Sequence, residues 1–219
     1  MVPVRQGSVR LKRKNYLKIG DFTVLEIALH KAIKSKAFDR IVVNTDDPML
    51  EEVTSRLGVD FYLREETLAS SEATSDQVVL DFFDNHSCDR VFWLNTVSPL
   101  QTITDIQNFV IKSNDASWES SVSFNPALVH VVYDNKPLNF KWDSGFARTQ
   151  DLKPVQNFNY AMMGWHKSAI KNLLKGQLFN EKTELIESSK WSGFLLKNDK
   201  DMDLIIKLSK VAPDQGVKF

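Results

Sequence analysis

The sequence predicts an α/β protein, a mostly parallel sheet flanked by helices, and two observations carry that reading. Short β-branched or aromatic runs alternate with helical patterns, and alternation of this kind builds βαβ units with right-handed crossovers. One run, Arg90-Val91-Phe92-Trp93-Leu94, is continuously apolar after its first residue, as befits a strand covered on both faces. A chain of 219 residues suits a single such domain, residues 1–219, with an inserted arm or hairpin at 129–155.

Taken in order, a very short strand precedes the basic stretch that begins at Pro3. Leu25, Ala28, Leu29, Ala32 and Ile33 follow the three-four spacing of a helix with one buried face. Arg40-Ile41-Val42-Val43-Asn44 is a strand stopped by Thr45-Asp46-Asp47-Pro48. Asp47-Pro48 opens a helix, since proline at an early helical position loses no hydrogen bond. Leu50, Val53 and Leu57 are its apolar side, and Gly58 ends it. Val59–Leu63 is the next strand, followed by helices near 75–83 and 104–112 on either side of the 90–94 strand.

The segment 129–155 breaks the rhythm, with Asn, Asp, Lys and Pro interleaved with Tyr133, Phe140, Trp142 and Phe146. Beyond it the pattern predicts a strand at 160–165 and a helix near 167–174. A last strand at 193–196 and a helix at 202–210 complete the series. In open α/β sheets, ligands lie beyond the carboxyl ends of the strands. That rule gathers residues 2–10, 44–47 and 95–102 around one cleft.

Lys+Arg and Asp+Glu both total 28, and this neutrality argues against wholesale nucleic-acid binding. With one cysteine, Cys88, there is no internal disulfide, which fits a reducing compartment. Cys88 has no activating neighbour in sequence and reads as structural. No run is long enough to span a bilayer, and the first residues lack a signal-peptide apolar region. The expectation is a cytoplasmic protein with no membrane partner. The four histidines are scattered without metal-ligand spacing.

The stretch Pro3-Val4-Arg5-Gln6-Gly7-Ser8-Val9-Arg10-Leu11-Lys12-Arg13-Lys14-Asn15 concentrates cations beside a Gly-Ser turn. Backbone donors with fixed positive charge are what a polyphosphate needs, although charge alone equally fits a solvated basic loop. The stretch lacks P-loop spacing. It resembles the Pro-Ala-Arg-x-Gly-Ser…Lys-Asn signature of the CMP-sialic acid synthetases, and Arg10 is similar to a position in the related CMP-KDO synthetases. The resemblance continues through Val42–Asp47, Leu63–Ala69 with Ser75-Asp76, Leu94–Thr102 and Arg148–Val155, in order, covering residues 2 to about 210.

That resemblance implies a Rossmann-like fold of the nucleotide-diphospho-sugar transferase type with a small dimerisation arm. It further implies transfer of CMP from CTP to the anomeric hydroxyl of an acidic 2-keto sugar, with release of pyrophosphate. Arg5 and Lys14 would be catalytic. Arg5, Gly7, Ser8, Arg10, Lys14, Asn15, Arg64 and Ser75 would hold the nucleotide. Asn95, Ser98, Arg148 and Gln150 would face the sugar. Mg²⁺ would be the cofactor, and a homodimer the assembly.

Departures from the pattern bear on that reading. The family's metal motif, Asp-x-Asp before the last helix, aligns Asp199 with its second aspartate but Lys197 with its first. Asp199 and Asp201 are the metal candidates, and the same run also reads as a helix N-cap and first turn. Asn95, Val97 and Gln101 replace a glutamine, a threonine and an arginine on the sugar side. These changes leave open a catalytically impaired nucleotide- or sugar-binding homologue, or a nucleotidyltransferase for another sugar.

Overall fold

The computed structural model describes residues 1–7, 11, 13–115, 117–143 and 145–212. The main strands are β1 (Val2–Val4), β2 (Val42–Thr45), β3 (Asp60–Leu63), β4 (Arg90–Leu94), β5 (Ser120–Ala127), β6 (Val155–His166) and β7 (Thr183–Glu187). β1 pairs parallel with β2, and β2 parallel with β3. On the other side of β1, the Met1 nitrogen donates to Phe92 O at 2.8 Å, and Met1 O accepts from Leu94 N at 3.1 Å. Those bonds join β4 to the same sheet. β6 then pairs antiparallel with both β4 and β5, and β7 parallel with β5. The spatial order is β3-β2-β1-β4-β6-β5-β7, parallel except for β6. The sequence-predicted fold class holds.

The α-helices among the described residues are α1 (Val24–Ser35), α2 (Leu50–Leu57), α3 (Ser75–Asn85), α4 (Ile103–Lys112), α5 (Ile170–Leu173) and α6 (Asp199–Ser209). Leu25 and Leu29 of α1, Leu50 of α2, and Ile106 and Phe109 of α4 pack with Val43 on one face. Val78 and Phe82 of α3 and Leu173 of α5 pack with Val42, Val91 and Trp165 on the other. Adjacent residues Val42 and Val43 thus feed opposite layers, which explains why β2 reads as an unbroken apolar run. Local signals fix the ends. Thr23 Oγ1 accepts from Glu26 N at 3.1 Å while Glu26 Oε2 accepts from Thr23 N at 2.8 Å, a capping box that starts α1. Gly58, at φ +67°, closes α2 in the left-handed region that glycine tolerates.

Three features differ from the sequence reading. Residues 193–196 form no ladder: Lys190–Gly193 is a 3₁₀ turn, and the chain then runs extended to α6. In its place stand β5 and β7, which the sequence pattern did not mark. β5 reads Ser-Ser-Val-Ser-Phe-Asn, serine-rich like a loop, yet its first five residues are all buried. Its hydroxyls are satisfied from within. Ser121 Oγ accepts from Ser113 Oγ at 2.9 Å, and Ser123 Oγ donates to Asn159 Oδ1 at 2.6 Å. A buried hydroxyl with a partner carries little penalty, so a serine strand can sit inside a sheet, between β6 and β7.

Between β5 and β6, Val132–Tyr133 pairs antiparallel with Lys136–Pro137, turning through Asp134 and Asn135 at φ +49° and +59°. Among the described residues, no helix is long and apolar enough to cross a membrane.

Candidate functional site

The loops after β1, β3 and β4 and the bulged middle of β6 enclose a cleft of about 730 Å³. It opens at the carboxyl ends of the adjacent strands β1 and β4, where the chain crosses from one half of the sheet to the other. Arg5 follows β1 directly, and its Nη1 donates to Ser70 O at 3.1 Å, tying the first loop to the wall after β3. Arg13 adopts φ +50°, a left-handed turn that starts the 3₁₀ segment Lys14–Tyr16 and brings Lys14 and Asn15 onto the cleft wall. Behind them the Tyr16 hydroxyl donates to Asp47. Burial pushes the Asp47 carboxyl up, but hydrogen bonds from Tyr16 and Gln6 outweigh it, so its net shift is downward. Asn15 is buried and accepts from Thr96 Oγ1 at 2.7 Å, which locks the basic loop to the loop after β4.

Arg64, at the end of β3, is only 5% exposed. Its Nη1 donates to Asn44 Oδ1 at 3.1 Å and its Nη2 to Val4 O at 3.0 Å, while Nε has no partner among the described residues. A buried guanidinium with an unused donor at a cleft wall is a ready contact for an acceptor atom of a ligand. Thr74 caps α3, placing Ser75, its first residue, on the same wall. Asn95 turns the chain after β4: its Oδ1 accepts from Val97 N at 3.3 Å, and its backbone N–H donates to Ala161 O at 3.0 Å.

The cleft therefore brings together Arg5, Lys14, Asn15, Arg64, Ser75 and Asn95. Gly7 is exposed on the basic loop and does not line the cleft. Ser8 and Arg10 lie outside the described residues. Ser98 is turned away: it is buried, and its hydroxyl donates to Ser192 O at 2.8 Å. Arg148 and Gln150 stand exposed in the arm, where Arg148 Nε donates to Asp151 Oδ2 at 2.7 Å.

Asp199 is exposed on the first turn of α6 and does not line the cleft. Asp201 works as a cap: its Oδ2 accepts from Lys197 N at 2.8 Å and Asn198 N at 3.0 Å. Among the described residues, no group of three His, Cys, Asp or Glu side chains is arranged to hold a metal ion. The donor set fits a divalent cation poorly, because such ions take several oxygen ligands, carboxylates above all.

Sequence reasoning missed several cleft residues. Lys197 lines it from the far side, together with Phe158, Asn159 and Tyr160 of β6. The register of β6 shifts between Phe158 and Met163, and Tyr160 lies at φ +53° within that bulge. Asn159 holds it there, accepting from Ser123 Oγ and Ala161 N and donating to Asn125 Oδ1 and Ser188 Oγ at 2.8 Å each. A bulge re-aims side chains, here turning a tyrosine out of a buried strand. The local text Asn157-Phe158-Asn159-Tyr160 hints at irregularity but does not say which residue points where. Cys88 is half-buried, and burial pushes its thiol up, in keeping with a structural role.

A family model described as cytidylyltransferase matches residues 1–178. The chain is 33% identical over 138 residues to the N-acylneuraminate cytidylyltransferase of Escherichia coli O18:K1:H7, a match that covers 63% of this chain and 32% of that protein. It spans about a third of that relative's length. It is 30% identical over 228 residues to post-translational flagellin modification protein B of Campylobacter coli, covering 98% of this chain and 96% of that one. Among solved structures, a CMP:2-keto-3-deoxy-manno-octonic acid synthetase in complex with CTP superposes with a TM-score of 0.70 at 13% identity, over 96% and 97% of the two chains. That last likeness bears on the fold.

Proposed function

Because this chain belongs to the cytidylyltransferase family, we propose that it transfers CMP from CTP to the anomeric hydroxyl of an acidic 2-keto sugar, sialic acid or a relative. The observation that carries the proposal is the charge of the cleft. Arg5, Lys14, Arg64 and Lys197 line it, and among its described lining residues there is no aspartate or glutamate. A pocket so composed selects a polyanion, and the volume of about 730 Å³ admits a nucleoside triphosphate with a sugar beside it. The acidic sugar is inferred from the name of the E. coli relative and from the motifs around Asn95 and Arg148.

In this reading, the anomeric oxygen attacks the α-phosphorus. The new O–P bond forms as the bond from the α-phosphorus to the bridging oxygen breaks, and pyrophosphate leaves with that electron pair. The hydroxyl proton passes to solvent. Arg5 and Lys14 hold the phosphates and offset the charge that builds on the leaving group, so catalysis is positioning and electrostatics. Arg64 and Ser75 take the cytidine side and Asn95 the sugar.

Arg148 and Gln150 reach an acceptor across a dimer interface, in which the arm of one protomer meets the cleft of the other. The apolar surface of the arm supports that assembly: Tyr133, Leu138, Trp142 and Phe146 are all more than 60% exposed, at 74%, 64%, 67% and 73%. A cytoplasmic setting, where CTP is made, completes the proposal.

The test is pyrophosphate release with CTP, Mg²⁺ and a panel of sialic, legionaminic, pseudaminic and KDO-type acids. Release with one sugar, and with CTP over other triphosphates, bears the proposal out. CTP binding without release on any sugar favours an impaired binding homologue, and preference for another triphosphate overturns the cytidylyl assignment.

A further inference from the structure

Lys197 is the cleft cation that neither the basic loop nor the strand ends account for. Its backbone is pinned on both sides. Leu196, fully buried, donates its N–H to Val97 O at 2.7 Å, and the Lys197 N–H is held by Asp201 Oδ2 at 2.8 Å. The side chain itself is exposed and joins no ion pair among the described residues. It lines two spaces at once: the main cleft, and an adjoining pocket of about 340 Å³ walled by Asn125, Asn157 and Asn159 of β5 and β6 and by Asp201 and Leu204 of α6. Phe158, Asn159 and Leu195 are likewise shared, so the two spaces meet at Lys197.

We propose that Lys197 replaces a protein-held divalent cation as the positive charge between the triphosphate and its acceptor, so that this enzyme binds CTP without a metal held by its own carboxylates. The inference rests on the cytidylyltransferase reading of the cleft. A triphosphate entering a nucleotidyl-transfer site must be neutralised where the acceptor approaches, and a carboxylate pair normally does this indirectly by fixing a metal there. Here Asp201 lines the adjoining pocket but not the cleft and commits Oδ2 to capping α6, and Asp199 lines neither space. An ammonium on a flexible four-carbon stem projects at the junction instead. It neutralises phosphate oxygens directly and repels a metal that is not already carried by the nucleotide. Four cleft-lining cations and no cleft-lining acid among the described residues suit such direct neutralisation.

The experiment is calorimetric titration of CTP into the full chain, Lys197→Ala and Lys197→Asp, each in EDTA and in Mg²⁺, with Mn²⁺ binding to the CTP-free proteins followed by electron paramagnetic resonance. Thermal melts check that the variants fold, as a substitution of an exposed side chain allows. The unsubstituted chain should bind CTP in EDTA within about threefold of its affinity in Mg²⁺, and should bind no Mn²⁺ alone. Lys197→Ala should weaken CTP binding in EDTA by roughly tenfold, a loss of one charge-assisted contact. Lys197→Asp should bind CTP only with Mg²⁺ present and should acquire Mn²⁺ binding. CTP binding that depends on Mg²⁺ in the unsubstituted chain, or equal CTP affinity in Lys197→Ala, overturns the role given to Lys197 and leaves the cytidylyltransferase reading standing. Absence of CTP binding under both conditions overturns both.

Discussion

Arg64 shows how one side chain serves both fold and site. It bridges β1, through Val4 O, and β2, through Asn44, from the end of β3, so removing it orphans two buried acceptors. Arg64→Met should cost roughly 2–4 kcal/mol and lower the melting temperature by about 5–10 °C. A calorimetric scan that finds no change would mean Arg64 is held by the site rather than holding it. Lys14→Ala should separate the two roles in the opposite sense. The melting temperature should stay near that of the unsubstituted chain, while kcat/KM for CTP falls by roughly 10²-fold or more, the scale of losing one stabiliser of transition-state charge. Unchanged kinetics would remove Lys14 from the machinery. Arg64 and Lys14 were legible through the motifs that resemble the CMP-sialic acid synthetase signatures, whereas topology alone reached residues 2–10, 44–47 and 95–102, and so Arg5 and Asn95. Tyr160 and Asn159 were not legible, since their placement depends on a bulge stabilised by Ser123, Asn125 and Ser188 from distant strands. Lys197 was legible as an anomaly, and the structure places it on the cleft wall.

At the scale of elements, strands with β-branched runs and helices with three-four spacing could be read directly. β4 falls on its expected residues, and α1 through α4 fall within a few residues of theirs. β5 escaped because its core-facing polarity is offset by partners that no local pattern reveals. The residues 193–196 misled for the converse reason: Gly-Phe-Leu-Leu is apolar, but Leu196 is buried in a third cluster with Ile19, Val24 and Leu100 rather than in a ladder. What anchors that segment is Asp105 of α4. Its carboxylate accepts from Ser189 N at 2.8 Å, Ser189 Oγ at 2.7 Å and Ser192 Oγ at 2.9 Å, fixing the 3₁₀ turn that leads to Lys197. Burial pushes the Asp105 carboxyl up, yet the hydrogen bonds from Ser189 and Thr102 prevail and hold it below the usual range. A carboxyl lowered in the folded state stabilises above its unfolded value, near pH 4, and loses that contribution as pH falls through the folded value. Asp105→Asn should therefore be less stable than the unsubstituted chain by roughly 2–3 kcal/mol at pH 7. Urea melts should show the gap narrowing below pH 4, and a gap independent of pH would assign the loss to shape rather than charge.

For the molecule as a whole, the arm's exposed aromatic residues make assembly the first property to measure. Light scattering should give twice the monomer mass at micromolar concentration, and Trp142→Asp with Phe146→Asp should return it to the monomer with the fold intact. A monomeric parent would remove the dimer and the sugar-side roles of Arg148 and Gln150 together. The strand order has a different consequence, one that concerns synthesis. β1 to β4 are the first four main strands in chain order, with β4 returning beside β1, so this half of the sheet can form once residue 94 has left the ribosome. The opposite wall of the cleft, at Phe158–Tyr160 and Leu195–Lys197, belongs to the later half, which docks on the free edge of β4. A nascent chain thus carries its basic loop before it carries a cleft. Until β6 seals that edge, β4 is open to pairing with another chain, and crowding of unfinished copies is the hazard this topology accepts.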